Sequence, residues 1–443
     1  MPQKGFRRIL SADTPDGRRG RVQVSLSGLS DPSDPSDLSD PSDSTMQLFG
    51  QGLHRSMLPL LRGALDERHI LHINPKQAVF SMKQNGKVLE LLMRFEEMGI
   101  PSIDCIICHR GKRVFRHQSG FSDEARTKRL DGSERYNIYS CSKPITCTAA
   151  LQLVEQGMLR LDDAVYEYLP EFRKMKKRNG DKLETVQNTM TIRHLFTMTA
   201  GLSYNTNSEN LQLGKKETQG RMPTRTAMQY LARDPLGFEP GTQWQYSLCH
   251  DVLAAVVEVV SGERFGIYVK KNIFDRLGMK HSTFLLPEDE LNQIAAQYRY
   301  DPETQKFNAC GPQIQTFKLG TEYESGGAGC ISSAADYSAF LEGLRSGERL
   351  LRRDTIAQMS SPQISETVAQ TFTETRYSYG LGVRCPKPGM DTQDFGWGGA
   401  AGAYLSILPN AEASIFHVQH VITSPNQGLR SLFVDALLQD LQS

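Results

Sequence analysis

Tyr139-Ser140-Cys141-Ser142-Lys143-Pro144 is the stretch on which the reading of this chain turns. Residues 144–158 after it read as a buried helix, with Ile145, Ala149, Leu151, Leu153 and Val154 apolar and Gly157 at its close. Ser140 and Lys143 stand three apart, a spacing that puts two side chains on one helix face, about one turn from each other. An ammonium group cannot accept a proton. Partial burial beside another cation or in an apolar site favours the neutral amine of a lysine, which can. A serine at a helix start also has backbone N–H groups at hand for a developing oxyanion. The pattern therefore offers nucleophilic attack by Ser140 with Lys143 as base. Ordinary capping uses the same residue types, Ser140 as N-cap and Lys143 as a solvated first-turn residue. Four residues alone do not separate the two.

Upstream, Val88, Leu91, Leu92 and Phe95 mark a helix ended by Gly99-Ile100-Pro101. Ile103–His109 and Val114–Gly120 flank Gly111-Lys112 and read as a hairpin. Downstream, residues 165–300 lack strand alternation and hold helical segments at 191–200, 225–233, 248–261 and 266–277. Strands return at about 379–385, 402–408 and 413–422, and an amphipathic helix, Gln427–Leu441, follows. Strands from both chain ends with helices between them predict an α+β fold. Its mainly antiparallel sheet is built from the two ends, flanked by helices and interrupted by an all-helical insertion.

The 443 residues suit one large mosaic domain or two smaller ones, and 39% hydrophobic with 23% charged residues suits a substantial core. Net charge is +1 and the body has no like-charge block, so nothing calls for nucleic acid or an anionic membrane. No apolar run approaches the ~20 residues that span a bilayer, and MPQKGFRRIL lacks a secretory apolar core. The expectation is a cytoplasmic protein. Residues 1–45, with SDPSDPSDLSDPSDS, predict a disordered extension, with Met46 or Met57 as alternative initiators. Residues 46–85 form a lead-in without an evident role, and 86–443 the body, with its helical insertion at about 165–300. The eight cysteines include one CxxC, Cys105-Ile-Ile-Cys108, in an apolar run that reads as a strand. Residues three apart on a strand point to opposite faces, so reduced, buried cysteines are expected rather than a metal or redox site.

Further segments decide between capping and chemistry. In chain order they are Gly120-Phe121-Ser122-Asp123, Ser140–Lys143, Leu161–Val165 with Tyr168-Leu169-Pro170, and Thr191-Ile192-Arg193-His194-Leu195-Phe196-Thr197-Met198-Thr199-Ala200-Gly201-Leu202. Phe238-Glu239-Pro240-Gly241-Thr242 with Trp244 and Tyr246-Ser247 come next, then Ile273–Met279, Gly326–Gly329 with Ser332–Tyr337, and Gly396-Trp397-Gly398-Gly399. Over roughly residues 87–440 this succession resembles the serine β-lactamase and penicillin-binding-protein group, and within it the family VIII carboxylesterases. The resemblance implies Ser140 as acylated nucleophile, Lys143 as base and Tyr246 as the phenol that relays the proton and delivers it to the leaving group. It also implies an oxyanion hole from the Ser140 and Ala400 N–H groups.

Two departures bear on substrate. Where lactamases carry an amide-binding Asn, this chain has Leu248, followed by Asp251-Val252-Leu253 as in the esterase branch. Where lactamases carry Lys-Thr-Gly or His-Thr-Gly to hold a carboxylate, it has Trp397-Gly398-Gly399. Gly398 and Gly399 would let an acyl group approach the strand, and Trp397 would form an apolar wall, unless it is simply core. The expected substrate is a small uncharged ester, or an amide, cleaved with no metal or organic cofactor. β-Lactamase or D-alanyl-D-alanine carboxypeptidase activity, acyl transfer, and an inactive binding protein on the same fold are the alternatives. His194 reads as structural, and without a G-x-S-x-G elbow a Ser-His-Asp role for His250 finds no support. His417 and His420 are expected to alternate between core and surface, and Glu322 and Glu324 to lie on a solvated loop.

Overall fold

Lys87–Glu97 forms helix α1, which buries Val88, Leu91, Leu92 and Phe95 and leaves its charged face to solvent, as the apolar spacing predicts. In this computed structural model the described residues are 12–13, 19–20, 86–310 and 318–442. The chain separates into two units, Met1–Ser39 and Asp40–Ser443. In the first, Ala12–Asp13 pairs antiparallel with Arg19–Gly20. Apart from that pair, the expected extension over 1–45 and the lead-in over 46–85 lie outside the described residues.

After α1 come strands β1 (Ser102–His109) and β2 (Lys112–Gly120). Arg110 and Gly111 join them, both at positive φ (51° and 77°), the turn that matches the twist of a two-residue hairpin. Helices α2 (Ser142–Glu155), α3 (Cys249–Ser261) and α4 (Ala334–Ser346) follow. The remaining strands of the main sheet are β3 (Tyr377–Tyr379), β4 (Arg384–Pro386), β5 (Phe395–Gly398), β6 (Tyr404–Leu408) and β7 (Ala413–Val418), and α5 (Leu432–Gln442) comes last. The expected strand at 379–385 is two strands, because Gly380 N–H bonds Val383 O (2.8 Å) and turns the chain between them.

The strands make one seven-stranded sheet in the order β3-β4-β5-β6-β7-β1-β2, antiparallel throughout. β1 and β7, from opposite ends of the body, pair inside the sheet, with Ile106 opposite Phe416. Both faces are covered, so β1 is apolar on both. Ile106 and Cys108 join the main core under α2, α3 and α4, while Ile103, Cys105 and Ile107 join a second core under α1 and α5. The two cysteines of the CxxC therefore sit on opposite sides of the sheet, and all eight cysteines are free thiols.

Between β2 and β3 the chain is mostly helical, including Ile192–Phe196, Glu209–Glu217, Thr224–Leu231 and α3. It also contains a hairpin, Lys176–Asn179 with Lys182–Thr185, so the insertion is not purely helical. Its strands are nearly all polar and cross-paired by Lys177 and Glu184 (3.6 Å), which leaves no apolar alternation to read. A short strand pair, Tyr136–Asn137 with Ile331–Ser332, carries the approach to α2 alongside the exit of the loop Gly326-Gly327-Ala328-Gly329.

Candidate active site

Ser140 lies in a 3-10 turn, Tyr139–Cys141, that leads directly into α2. The residue before it, Tyr139, has φ of 47°, an uncommon left-handed conformation for a non-glycine residue. Ser142 Oγ bonds Tyr139 O (2.5 Å) and accepts Cys330 N–H (2.9 Å), which ties the turn to the segment after the glycine-rich loop. Pro144 falls in the first turn of α2, where its missing N–H is no loss.

Lys143 is 0% exposed, so the solvated first-turn alternative does not describe it. Its Nζ lies 3.3 Å from Ser140 Oγ and donates to Gly327 O at 2.7 Å. It stands 4.4 Å from the centre of the Tyr246 ring and 5.6 Å from that of Tyr204. The Tyr246 hydroxyl hydrogen-bonds Ser140 Oγ. Serine oxygen, lysine nitrogen and phenol thus converge, and Ser140 itself is only 8% exposed. Such a cluster can pass a proton from serine to amine or phenol and back to a leaving group.

Tyr246 is held in an aromatic stack. Tyr204 stacks on it at 5.2 Å and 7° between planes, and Trp397 at 6.0 Å and 14°. Trp397 also meets the edge of Tyr379 at 5.2 Å and is 7% exposed, so most of its surface packs against protein. Leu248 is 2% exposed at the start of α3, within the main core.

Beyond Trp397, Gly398 ends β5 and Gly399–Ala403 forms a tight turn, with Gly399 N–H on Ala403 O at 2.8 Å. A Cβ on Gly399 would lie 2.4 Å from Ile138 O, so glycine here lets the turn close on the backbone just before Ser140. At Gly398 a Cβ would meet only Ala403 O, at 3.6 Å, an ordinary contact. Ala400 sits in the turn and is exposed. Buried Arg430 supports the turn from beneath, donating to Ala403 O (3.2 Å) and Gly399 O (3.4 Å). Burial lowers its pKa to about 10. Neither Tyr204 nor Arg430 has a sequence signal. Tyr204 follows the quoted 191–202 segment by two residues, and Arg430 sits in a region that reads only as helix.

His194, His250, His417 and His420 are structural. Thr191 and His194 form a reciprocal cap at the start of Ile192–Phe196. His250 faces Phe196 O (3.2 Å) and Cys147 Sγ (3.6 Å), and burial, then the Lys143 charge, pushes its pKa down to about 3. The expected core-to-surface alternation of His417 and His420 is overturned, since both are buried. Both faces of the sheet are covered there, and His417 packs against Phe95 and Phe433 while His420 Nδ1 faces Ala295 O at 3.0 Å. Glu324 is also not solvated. It is buried, accepts Gly266 N–H (3.1 Å), and burial raises its pKa; Glu322 is half-buried. Among the described residues no three His, Cys, Asp or Glu side chains gather as a metal site, and no helix is long and apolar enough to cross a membrane.

The family model described as Beta-lactamase matches residues 88–422. Esterase EstB of Burkholderia gladioli is 30% identical over 356 residues, which cover 75% of this chain and 82% of EstB. Acyltransferase calJ of Penicillium decumbens is 30% identical over 308 residues, 60% of this chain and 70% of calJ. Among solved structures, the LovD6 mutant of simvastatin synthase from Aspergillus terreus superposes with a TM-score of 0.69 at 23% identity, over 81% of this chain and 98% of that one. That likeness shows the β-lactamase/transpeptidase-like fold.

Proposed function

We propose that this chain, which belongs to the beta-lactamase family and is a serine hydrolase, cleaves small uncharged esters through an acyl-enzyme on Ser140. The observation that carries this reading is the convergence of Lys143 Nζ and the Tyr246 hydroxyl on Ser140 Oγ. Lys143, as neutral amine, takes the Ser140 proton with the help of Tyr246 while Oγ attacks the ester carbonyl. The Ser140 and Ala400 N–H groups hold the oxyanion. The tetrahedral intermediate then collapses, and the alcohol leaves with a proton delivered by Tyr246. Water repeats the sequence on the acyl-enzyme and releases the acid. The esterase relative EstB supports the ester as substrate, and the body over 86–443 is the catalytic domain of this proposal. A cytoplasmic setting belongs to it too, supported by eight unpaired thiols.

Specificity follows from what the site edge lacks. Trp397-Gly398-Gly399 offers neither cation nor hydroxyl to a carboxylated antibiotic, and Leu248 offers no amide. One lost charge-assisted hydrogen bond is worth roughly 1.5–3 kcal/mol, which is about one to two orders of magnitude in kcat/KM. Side-by-side kinetics on p-nitrophenyl butyrate and a chromogenic cephalosporin test this. The ester should be favoured by at least that factor; equal turnover would replace the reading with a lactamase.

The acyltransferase calJ, at 30% identity, favours a second outcome of the same acyl-enzyme. An alcohol in place of water would complete acyl transfer on the same residues. Adding a primary alcohol to the ester assay and measuring the new ester against free acid separates transfer from hydrolysis.

A further inference from the structure

Asp251 is a fully buried acid in the first turn of the apolar helix α3. Its Oδ1 accepts the Tyr323 hydroxyl and Ser325 Oγ, each at 2.6 Å. Its Oδ2 is buried and has no hydrogen-bond partner. A bare carboxylate oxygen in the interior is costly unless a positive charge compensates it. The geometry at Gly327 shows which basic side chain faces it. A Cβ on Gly327 would sit 2.5 Å from Asp251 Oδ2 and 3.4 Å from Lys143 Nζ. Carboxylate and amine therefore flank the same glycine, separated by no more than the sum of those distances. That is within the ~4–6 Å over which an opposite charge shifts a titration.

The other groups around Lys143 carry no compensating charge near neutral pH. Tyr246 and Tyr204 present ring faces. Burial pushes the thiols of Cys141 up to about 12 and Cys249 to about 11, raises Cys147 well above the ordinary range, and holds His250 neutral. Burial, with Asp251 beside it, also keeps the Tyr323 phenol protonated.

We propose that Asp251 is a positioning residue for the acylation step, its carboxylate facing Lys143 across Gly327 and stabilising the ammonium formed when Lys143 takes the Ser140 proton. The proposal rests on Lys143 as the base. The same carboxylate braces the loop through Tyr323 and Ser325, so Gly327 O stays on Lys143 Nζ. A negative charge beside the amine favours the ammonium formed as the proton arrives. Removing it therefore moves the acid limb of the rate profile to lower pH and slows the plateau, because the weaker base takes the proton less readily.

Asp251→Asn removes the charge and keeps an acceptor for Tyr323 and Ser325. The readouts are the rate of Ser140 phosphonylation by a fluorophosphonate and kcat with p-nitrophenyl butyrate, both followed across pH. The expected result is a plateau about ten-fold lower or more, little change in KM, and an acid limb displaced by about one pH unit or more. Ser325→Ala, which loses a bond to Oδ1 but keeps the charge, should leave the acid limb in place. Gly327→Ala, which forces a methyl against Oδ2, should move it as Asp251→Asn does and serves if the Asn variant does not fold. Wild-type profiles in Asp251→Asn or Gly327→Ala, or an equal displacement in Ser325→Ala, overturn the proposal. Failure of the wild-type protein to react with the fluorophosphonate removes instead the reading of Ser140 on which it stands.

Discussion

The two faces of the central sheet bury their helices in different ways. On one face α1 and α5 lie as amphipathic covers, and α1 meets the sheet with Val88, Leu91, Leu92 and Phe95 alone. On the other, α2 is buried on every side, with Ser142, Lys143, Thr146, Thr148 and Gln152 inside as well as its apolar residues. Each of those polar groups finds an acceptor. Thr146 donates to Gly326 O (2.7 Å), Thr148 to Pro144 O (2.7 Å), and Gln152 to Asn272 O (3.2 Å) and Leu350 O (3.3 Å). One face is closed by the hydrophobic effect. The other has the larger apolar core and adds hydrogen bonds to backbone carbonyls, several from loops far away in the chain. Substitutions should therefore separate, acting on stability at the first face and on chemistry at the second.

The sharpest contrast is expected from Ser140→Ala and Lys143→Met. Either should lower esterase turnover by about 10⁴-fold or more. Ser140→Ala should at the same time leave the melting temperature near wild type, since it removes a single hydroxyl, whereas Lys143→Met also leaves the buried Asp251 carboxylate unpaired and should lower it. Substantial activity in either folded variant would remove the chemical half of the comparison. Next in size is Phe95→Ala, on the opposite face, which meets Phe433 and His417 edge-on at 5.7 Å. It should cost about 3–5 kcal/mol in urea unfolding, with kcat/KM of the folded protein unchanged. A specific loss of activity there would show that the two faces are coupled.

The smallest effect concerns pH and divides between the faces. His250 and His417 are held down to about 3 and His420 to about 4, chiefly by burial. The folded protein keeps these rings neutral, whereas the unfolded chain protonates them near the ordinary value of 6.5. Their contribution is thus complete above that value and is lost as pH falls toward 4 and below. Each ring adds a slope of up to about 1.4 kcal/mol per pH unit in that window. His417→Gln, on the α1 side, should flatten the slope by one histidine's share and leave the acid limb of catalysis unmoved. An unchanged slope would show that His417 takes up its proton in the folded protein over the same range.

Several of these features were legible in the chain itself. The spacing of Val88, Leu91, Leu92 and Phe95 marks α1 because its burial is one-sided, and the alternation through Cys105 and Cys108 places them on opposite faces. The hairpin at 176–185 was not legible, since it is paired by charge rather than by apolar alternation. Glu324, His417 and His420 were misread because local pattern does not report a second layer covering a strand or a loop.

Sequence by itself determined that Ser140 and Lys143 would share one helix face, since three-residue spacing on a helix allows little else. It also determined the order of segments that marks the family. Only the tertiary structure decided what meets them there: Tyr246, 106 residues from Ser140, and the carbonyl of Gly327, 184 residues from Lys143. The same holds for Asp251, an acid in an apolar helix whose partner no local pattern names. Helical geometry propagates from neighbour to neighbour and so can be read along the chain. Convergence of side chains from distant loops depends on how the layers pack, to within the few tenths of an ångström that a hydrogen bond tolerates.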